Sequence, residues 1–430
     1  MMIQQPQGTR LETGVHLATV VLALALGVAL TLVAPLPAHA QTYRVIYNFT
    51  GGADGATPAS GLAIDRGGNL YGTASAGGSG NGTVFRLHPA GSGWLFSSLY
   101  TFQGGADGQT PMGAVTVGPD GALYGTTEFG GPIHHVCSIG CGTVFNLKPP
   151  PTRPVSAFSP WVKTIIYSFS FGDGAFPLSE VIFDAAGNLY GTTYGGELGG
   201  DCDGAPCSTC GSNCGMAYEL TPTNHGWVDT VLFNFNDDTG SNPSAGLVFD
   251  NAGNLYGVTP TGGLGALGTV FQLIPSASGW TESTLHSFQG MGDGGNPAGT
   301  LAYDSGAGAL YGGSPGFSYP GSVFTMTPSG SFISDYTFGT GDGPSAGVSR
   351  DAAGNLYGTT TQGGPYNQGM VFKLTPSGGG WTFTDLHDFQ GGSDGCGSKG
   401  RVLLDATGNL YGTGPSCGAN GKGMVWEITP

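Results

Sequence analysis

The chain has 430 residues, with 12 Lys+Arg against 28 Asp+Glu, a formal charge of −16 and only 9% charged residues. Such an acidic balance offers no basic stripe for phosphates, which argues against a nucleic-acid partner. Glycine makes up 83 of the 430 residues, against a usual share of about 7%, so the chain must turn tightly and often.

Residues 1–40 read as a signal peptide. Arg10 supplies a basic start, residues 16–36 are apolar and almost uncharged, and Ala38-His39-Ala40 forms a small-residue cleavage site before Gln41. The alternative is a membrane anchor, because the run approaches the ~20 residues a spanning helix needs. The cleavage site abuts the first predicted strand and favours the leader. No second apolar run follows, so the mature chain is expected to be exported, to the periplasm or beyond, with no membrane span. Removing Arg10 and Glu12 leaves 11 basic against 27 acidic residues, still −16.

After residues 43–49, a short aromatic segment, the chain repeats itself. Leu-Tyr-Gly recurs at Leu70, Leu123, Leu189, Leu255, Leu310, Leu356 and Leu410, in steps of 53, 66, 66, 55, 46 and 54 residues. A period near 50 residues is that of a blade array. Each copy has a short apolar run usually ending in Asp, then Leu-Tyr-Gly, a Gly-rich loop, and a Gly-Thr-Val-Phe-x-Leu-x-Pro segment (residues 82–89 in the first copy, 423–430 in the last). An aromatic segment follows, with Trp94, Trp161, Trp227, Trp280 and Trp381 each eight residues before a Phe. Four β-branched and aromatic segments bounded by Gly, Pro, Asn and Asp predict four antiparallel strands per repeat, and seven repeats predict an all-β, seven-bladed β-propeller. The seventh copy lacks its fourth strand. Residues 43–49 match it, so the N-terminal strand is expected to complete the last blade and close the ring, leaving no edge to aggregate. Residues 41–430 then form one domain, expected to be monomeric, in which residues 148–160 are a Pro-rich loop insertion.

In a propeller the first strand of each blade lies nearest the axis. The loops between strands two and three therefore share a face, here called upper, with those leading from strand four into the next blade. The long, variable loops are residues 127–141, 193–214, 314–320 and 412–422, whereas the opposite Asp-x-x-Gly-Asn hairpin is short and nearly uniform. Variable loops on a rigid frame are where binding residues concentrate. All eight cysteines fall on the upper face: Cys137 and Cys141 on one loop, Cys202, Cys207, Cys210 and Cys214 on the next, Cys396 and Cys417 on neighbouring loops of blade seven. An even count in an exported chain predicts disulfides, Cys137 with Cys141 and Cys396 with Cys417. The pairing of the other four stays open, and Cys207-x2-Cys210 also resembles half of a zinc knuckle.

Asp54, Asp107, Asp173, Asp238, Asp293, Asp342 and Asp394 lie in Asp-Gly loops, or the equivalent loop of blade four, between blades. A ring of seven carboxylates is a candidate site for Ca²⁺ or another cation. Asp-Gly is also ordinary turn chemistry, and a group present in every repeat is expected to serve the repeat. No other cofactor is indicated. Positions that break the repeat are better candidates for a ligand site. Four residues before the hairpin Asp, on the innermost strand, the copies read Gly61, Ala114, Glu180, Gly246, Thr300, Gly347 and Arg401. Glu180, Thr300 and Arg401 depart from the small-residue rule and are candidates to hold a polar ligand at the channel mouth; solvated channel residues are the alternative. His134, His135 and Glu128 are unique to the blade-two loop and weaker candidates. The Leu-Tyr-Gly tyrosines are expected to pack between blades.

The recurring Gly-Asn-Leu-Tyr-Gly-Thr-Thr (residues 187–193) and Gly-Thr-Val-Phe-x-Leu-x-Pro (residues 268–275) resemble the GloVer tandem-repeat proteins, an exported bacterial "choice-of-anchor" group, over essentially all of residues 43–430, with NHL-like first strands. The resemblance implies no established activity and no catalytic residues. Members of that group typically carry a C-terminal anchoring segment. The sequence to Pro430 shows none, so release rather than surface anchoring is expected. No Gly-x-Ser-x-Gly, His-Glu-x-x-His or phosphate loop is present. A non-catalytic binding or scaffold propeller recognising an extracellular glycan or protein is the first expectation; a metal-assisted hydrolase or lyase at the channel mouth is the second.

Overall fold

Alternating polar and apolar residues with a tight turn every eight to ten positions can bury a face only by pairing into sheets, and that is the outcome. The computed structural model describes Met1 and residues 41–133, 137–150, 160–196, 214–290, 292–340 and 342–430; the predicted leader at residues 2–40 lies outside them. Among the described residues the strands form seven four-stranded antiparallel sheets, six of them simple meanders, and the one helical turn is Gly105–Asp107. The molecule is a seven-bladed β-propeller. Residues Thr42–Thr429 form one compact unit.

Blade one runs Ala63–Ile64, Leu70–Ala74, Thr83–Ala90 and Gly93–Thr101. Blade seven is built from Leu403–Leu404, Leu410–Gly414, Met424–Thr429 and, as its outermost strand, Thr42–Asn48 from the other terminus. Tyr43 pairs with Ile428 and Asn48 with Met424, with a bulge between Val45 and Tyr47. Phe49, placed in that strand from sequence, falls just past it and is fully buried.

The repeat motif is explained by packing. All five residues of Leu70–Ala74 are buried, because both faces of the second strand are covered by neighbouring blades. The glycine of Leu-Tyr-Gly makes room for the third strand's aromatic: a Cβ on Gly72 would sit 2.5 Å from Phe85 Cζ. The tyrosine has two tasks. Its ring meets a tryptophan from the next blade, as in Tyr71 with Trp161 at 6.1 Å and Tyr411 with Trp94 at 5.8 Å. Its hydroxyl donates to the hairpin aspartate, Tyr71 to Asp65 at 2.9 Å and Tyr256 to Asp250 at 3.0 Å. Blade two has Gly118 where the hairpin Asp stands, and there Asp120 accepts from Tyr124 instead, at 3.1 Å.

The threonine after Leu-Tyr-Gly clasps adjacent blades. Thr73 donates to the Gly113 carbonyl (3.0 Å), Thr126 to Ser179 (2.9 Å) and Thr192 to Ala245 (2.9 Å). Thr413 of blade seven donates to Ser60 of blade one at 2.8 Å, carrying the same clasp across the closure. Each is a buried bond worth about 1 kcal/mol.

Candidate functional site

Short bridges tie the inter-blade loop to the strand-two-to-three loop in five blades, Ala56 with Ala76, Gln109 with Phe129, Ala175 with Gly195, Ser241 with Thr261 and Pro344 with Thr360. Both loop families therefore share the upper face. In blade two that loop carries the Cys137–Cys141 disulfide, and in blade seven Cys396–Cys417 joins the two loop types. Cys214 is buried at the end of the blade-three loop; Cys202, Cys207 and Cys210 lie outside the described residues, as do His134 and His135. Glu128, at the base of the blade-two loop, has its carboxyl pushed up by burial.

The innermost segments line a central cavity of about 980 Å³. Neighbouring blades touch through backbone around it, with Gly61 beside the Arg401 main chain and Gly113 beside Ser179. Glu180, Thr300 and Arg401 all line it. The Thr300 hydroxyl donates to Glu180 Oε1 at 2.6 Å and accepts the Gly246 N–H at 3.0 Å. The carboxylate of blade three thus reaches past blade four to a hydroxyl of blade five. Arg401 is exposed and is not paired with Glu180.

Lys399, two residues before Arg401, also lines the cavity and is exposed; reasoning confined to the position four before the hairpin Asp passed over it. Two basic residues so close in a chain with 12 in all was the available signal. A third channel cation, Arg350, is paired with Asp304 at 2.6 Å.

Most of the loop aspartates are taken up by donors around them. Asp54 accepts from the Thr50 N–H (2.7 Å), the Thr50 hydroxyl (2.6 Å) and the Tyr47 hydroxyl (3.0 Å). Burial works against its ionisation, but those donors outweigh burial and hold the carboxyl below the usual range. Asp107 takes the Tyr100 hydroxyl at 2.7 Å and Lys163 Nζ at 2.7 Å; Asp173 takes the Tyr167 hydroxyl and the Ser170 N–H. Asp293 faces His286 and Asp394 faces His387, at 3.1 and 3.2 Å. In blade four the capping acceptor is Asn236, whose side-chain oxygen takes the Asp238 and Thr239 N–H groups, leaving Asp238 exposed. Asp342 lies in the same loop of blade six and packs against Gly339 and Gly363. Among the described residues no three His, Cys, Asp or Glu side chains gather as a metal site requires.

The Gloeobacter/Verrucomicrobia repeat matches residues 33–205, 198–384 and 314–430. The chain belongs to this repeat family. None of the curated proteins matches it. Among solved structures it is similar to the extracellular domain of a hybrid two-component system from B. thetaiotaomicron, with TM-score 0.53 and 12% identity over 90% of this chain and 39% of that one. It is also similar to a fungal alcohol oxidase of the AA5 family in complex with copper, with TM-score 0.55 and 14% identity over 91% of this chain and 77% of that one. At such identities the likeness concerns the propeller fold alone. Among the described residues of this repeat-family member, no helix is long and apolar enough to cross a membrane.

Proposed function

We propose that this repeat-family propeller is an exported, non-catalytic binding or scaffold protein that recognises an extracellular glycan or protein through its upper-face loops. One observation carries the reading. Five consecutive blades hold an exposed large apolar side chain on the same loop: Ile133 at 78% exposure, Tyr194 at 37%, Leu264 at 90%, Phe317 at 69% and Tyr366 at 54%. In blades four, five and six these loops (residues 260–267, 315–320 and 361–369) contain no charged residue. Exposed apolar groups repeated on one face mark interaction surfaces, and uncharged Gly-containing loops suit glycan or protein contact. The two disulfides fit an oxidising, extracytoplasmic setting.

A glycan array together with metal analysis of the purified protein tests the proposal. The expected result is a saccharide hit without turnover that is lost in a Leu264→Ser, Phe317→Ser, Tyr366→Ser triple variant of unchanged melting temperature. A stoichiometric transition metal with turnover of the bound saccharide would instead establish the metal-assisted hydrolase or lyase.

A further inference from the structure

We infer that the upper mouth of the channel is a subsite for a small hydroxylated carboxylate, with a uronic acid as the simplest member. Lys399 and Arg401 take the carboxylate and Glu180 takes the hydroxyls. The inference rests on the reading that the upper face binds a ligand, and it specifies the chemistry of the part that enters the channel.

Charge is the first observation. In a protein of net charge −16, cations are scarce, and three of them are held in ion pairs. Arg44 pairs with Glu427, Lys163 with Asp107 and Arg350 with Asp304. Lys399 and Arg401 are exposed, line the cavity, and have no hydrogen-bond or ion-pair partner among the described residues. A guanidinium fork matches a carboxylate by giving it two parallel bonds, and an ammonium lining the same cavity adds a point charge.

Glu180 supplies the second. One of its oxygens is fixed by the Thr300 hydroxyl at 2.6 Å, and among the described residues the other accepts nothing. A carboxylate held by one oxygen and open at the other is an acceptor for ligand hydroxyls, stronger than a neutral group because it is charged. With Lys399 and Arg401 positive and Glu180 negative, the mouth is left one charge positive, so a monoanion neutralises it. A phosphate dianion would overshoot and be repelled by Glu180. The cavity, about 980 Å³, lies within the ~300–1,000 Å³ range of small-molecule sites and admits a sugar with water around it.

Calorimetric titration of the full chain with glucuronate, glucose, acetate and glucose 6-phosphate at low and moderate salt tests the subsite. Glucuronate is expected to bind at least tenfold more tightly than the other three, weakening with salt. Lys399→Ala with Arg401→Ala should abolish that preference at unchanged melting temperature. Glu180→Gln should reduce the glucuronate-to-acetate ratio severalfold, which a merely structural Glu180 would not do. Equal affinity for glucose and glucuronate, tighter binding of the phosphate, or glucuronate binding indifferent to the basic pair would overturn it. Absence of binding by all four while the glycan-array hit persists would overturn the subsite and leave the upper-face reading standing; loss of both would remove that reading as well.

Discussion

Thr300 Oγ1 lies 2.6 Å from Glu180 Oε1 although the two residues sit in blades five and three. The contact exists because blade four offers Gly246 between them, its N–H donating to the same hydroxyl at 3.0 Å. Two positions that break the repeat and one that keeps it are thus one arrangement: an acid, a hydroxyl, and the glycine that leaves room between them.

Gly246→Ala should break it. The added Cβ would stand 2.7 Å from Thr300 Oγ1 and 2.9 Å from Glu180 Oε1. Because the obstructed atoms end flexible side chains, the ring should survive while the bridge is lost. The expected cost is about 1–3 kcal/mol, that of a charge-assisted hydrogen bond. Chemical denaturation checks it, and Thr300→Val should cost a similar amount without adding to it.

Gly72→Ala should also destabilise, since the added Cβ would meet both Phe85 at 2.5 Å and Leu62 at 2.8 Å in the core. Overpacking of this kind costs about 1–3 kcal/mol. Phe85→Leu in the same chain should recover part of it. A double-mutant cycle showing simple additivity would mean that the glycine is not there for the ring.

The blades, the shared loop face and the closing strand were legible in the sequence because each follows from a period and a pattern. Cys137–Cys141 and Cys396–Cys417 were legible because loop order already brought those cysteines together. Tyr71's bond to Asp65 was not anticipated, although Asp and Tyr sit six residues apart in most copies and Asp120 appears in the copy where Gly118 replaces the usual Asp. The Thr300–Glu180 bridge was hidden for a different reason: whether a side chain spans a channel depends on ring diameter and rotamer, which no repeat pattern encodes.

Asp229 makes stability depend on pH. Burial first, and the neighbouring Asp173 second, push its carboxyl up to about 7 from 3.8, and its Oδ1 has no hydrogen-bond partner. The folded state therefore holds this proton where the unfolded chain has lost it. The group's contribution is most favourable below pH ~4 and is lost progressively as pH rises toward ~7. Asp229→Asn should melt at a higher temperature than the parent at pH 8, with the advantage shrinking toward pH 4.5. Paired melts across that range check it; a constant difference would show that Asp229 ionises normally.

The Cys396–Cys417 disulfide closes a loop with a sequence separation of 21 residues. Replacing both cysteines by Ser should cost about 2–4 kcal/mol. The Cys137–Cys141 pair closes a separation of 4 and should cost less. Denaturant midpoints of the two double variants rank them.

That one ring is closed by its two termini is tested most directly by hydrogen exchange read by mass spectrometry on peptides covering residues 42–48 and 424–429. If Thr42–Asn48 is the outermost strand of blade seven, its amides should be protected to the same degree as the outer strands of the other blades, and removing residues 41–49 should deprotect 424–429. Rapid exchange of residues 42–48 in the intact chain, with 424–429 unaffected by the deletion, would contradict the closure and, with it, the placing of Glu180, Thr300, Lys399 and Arg401 around one channel.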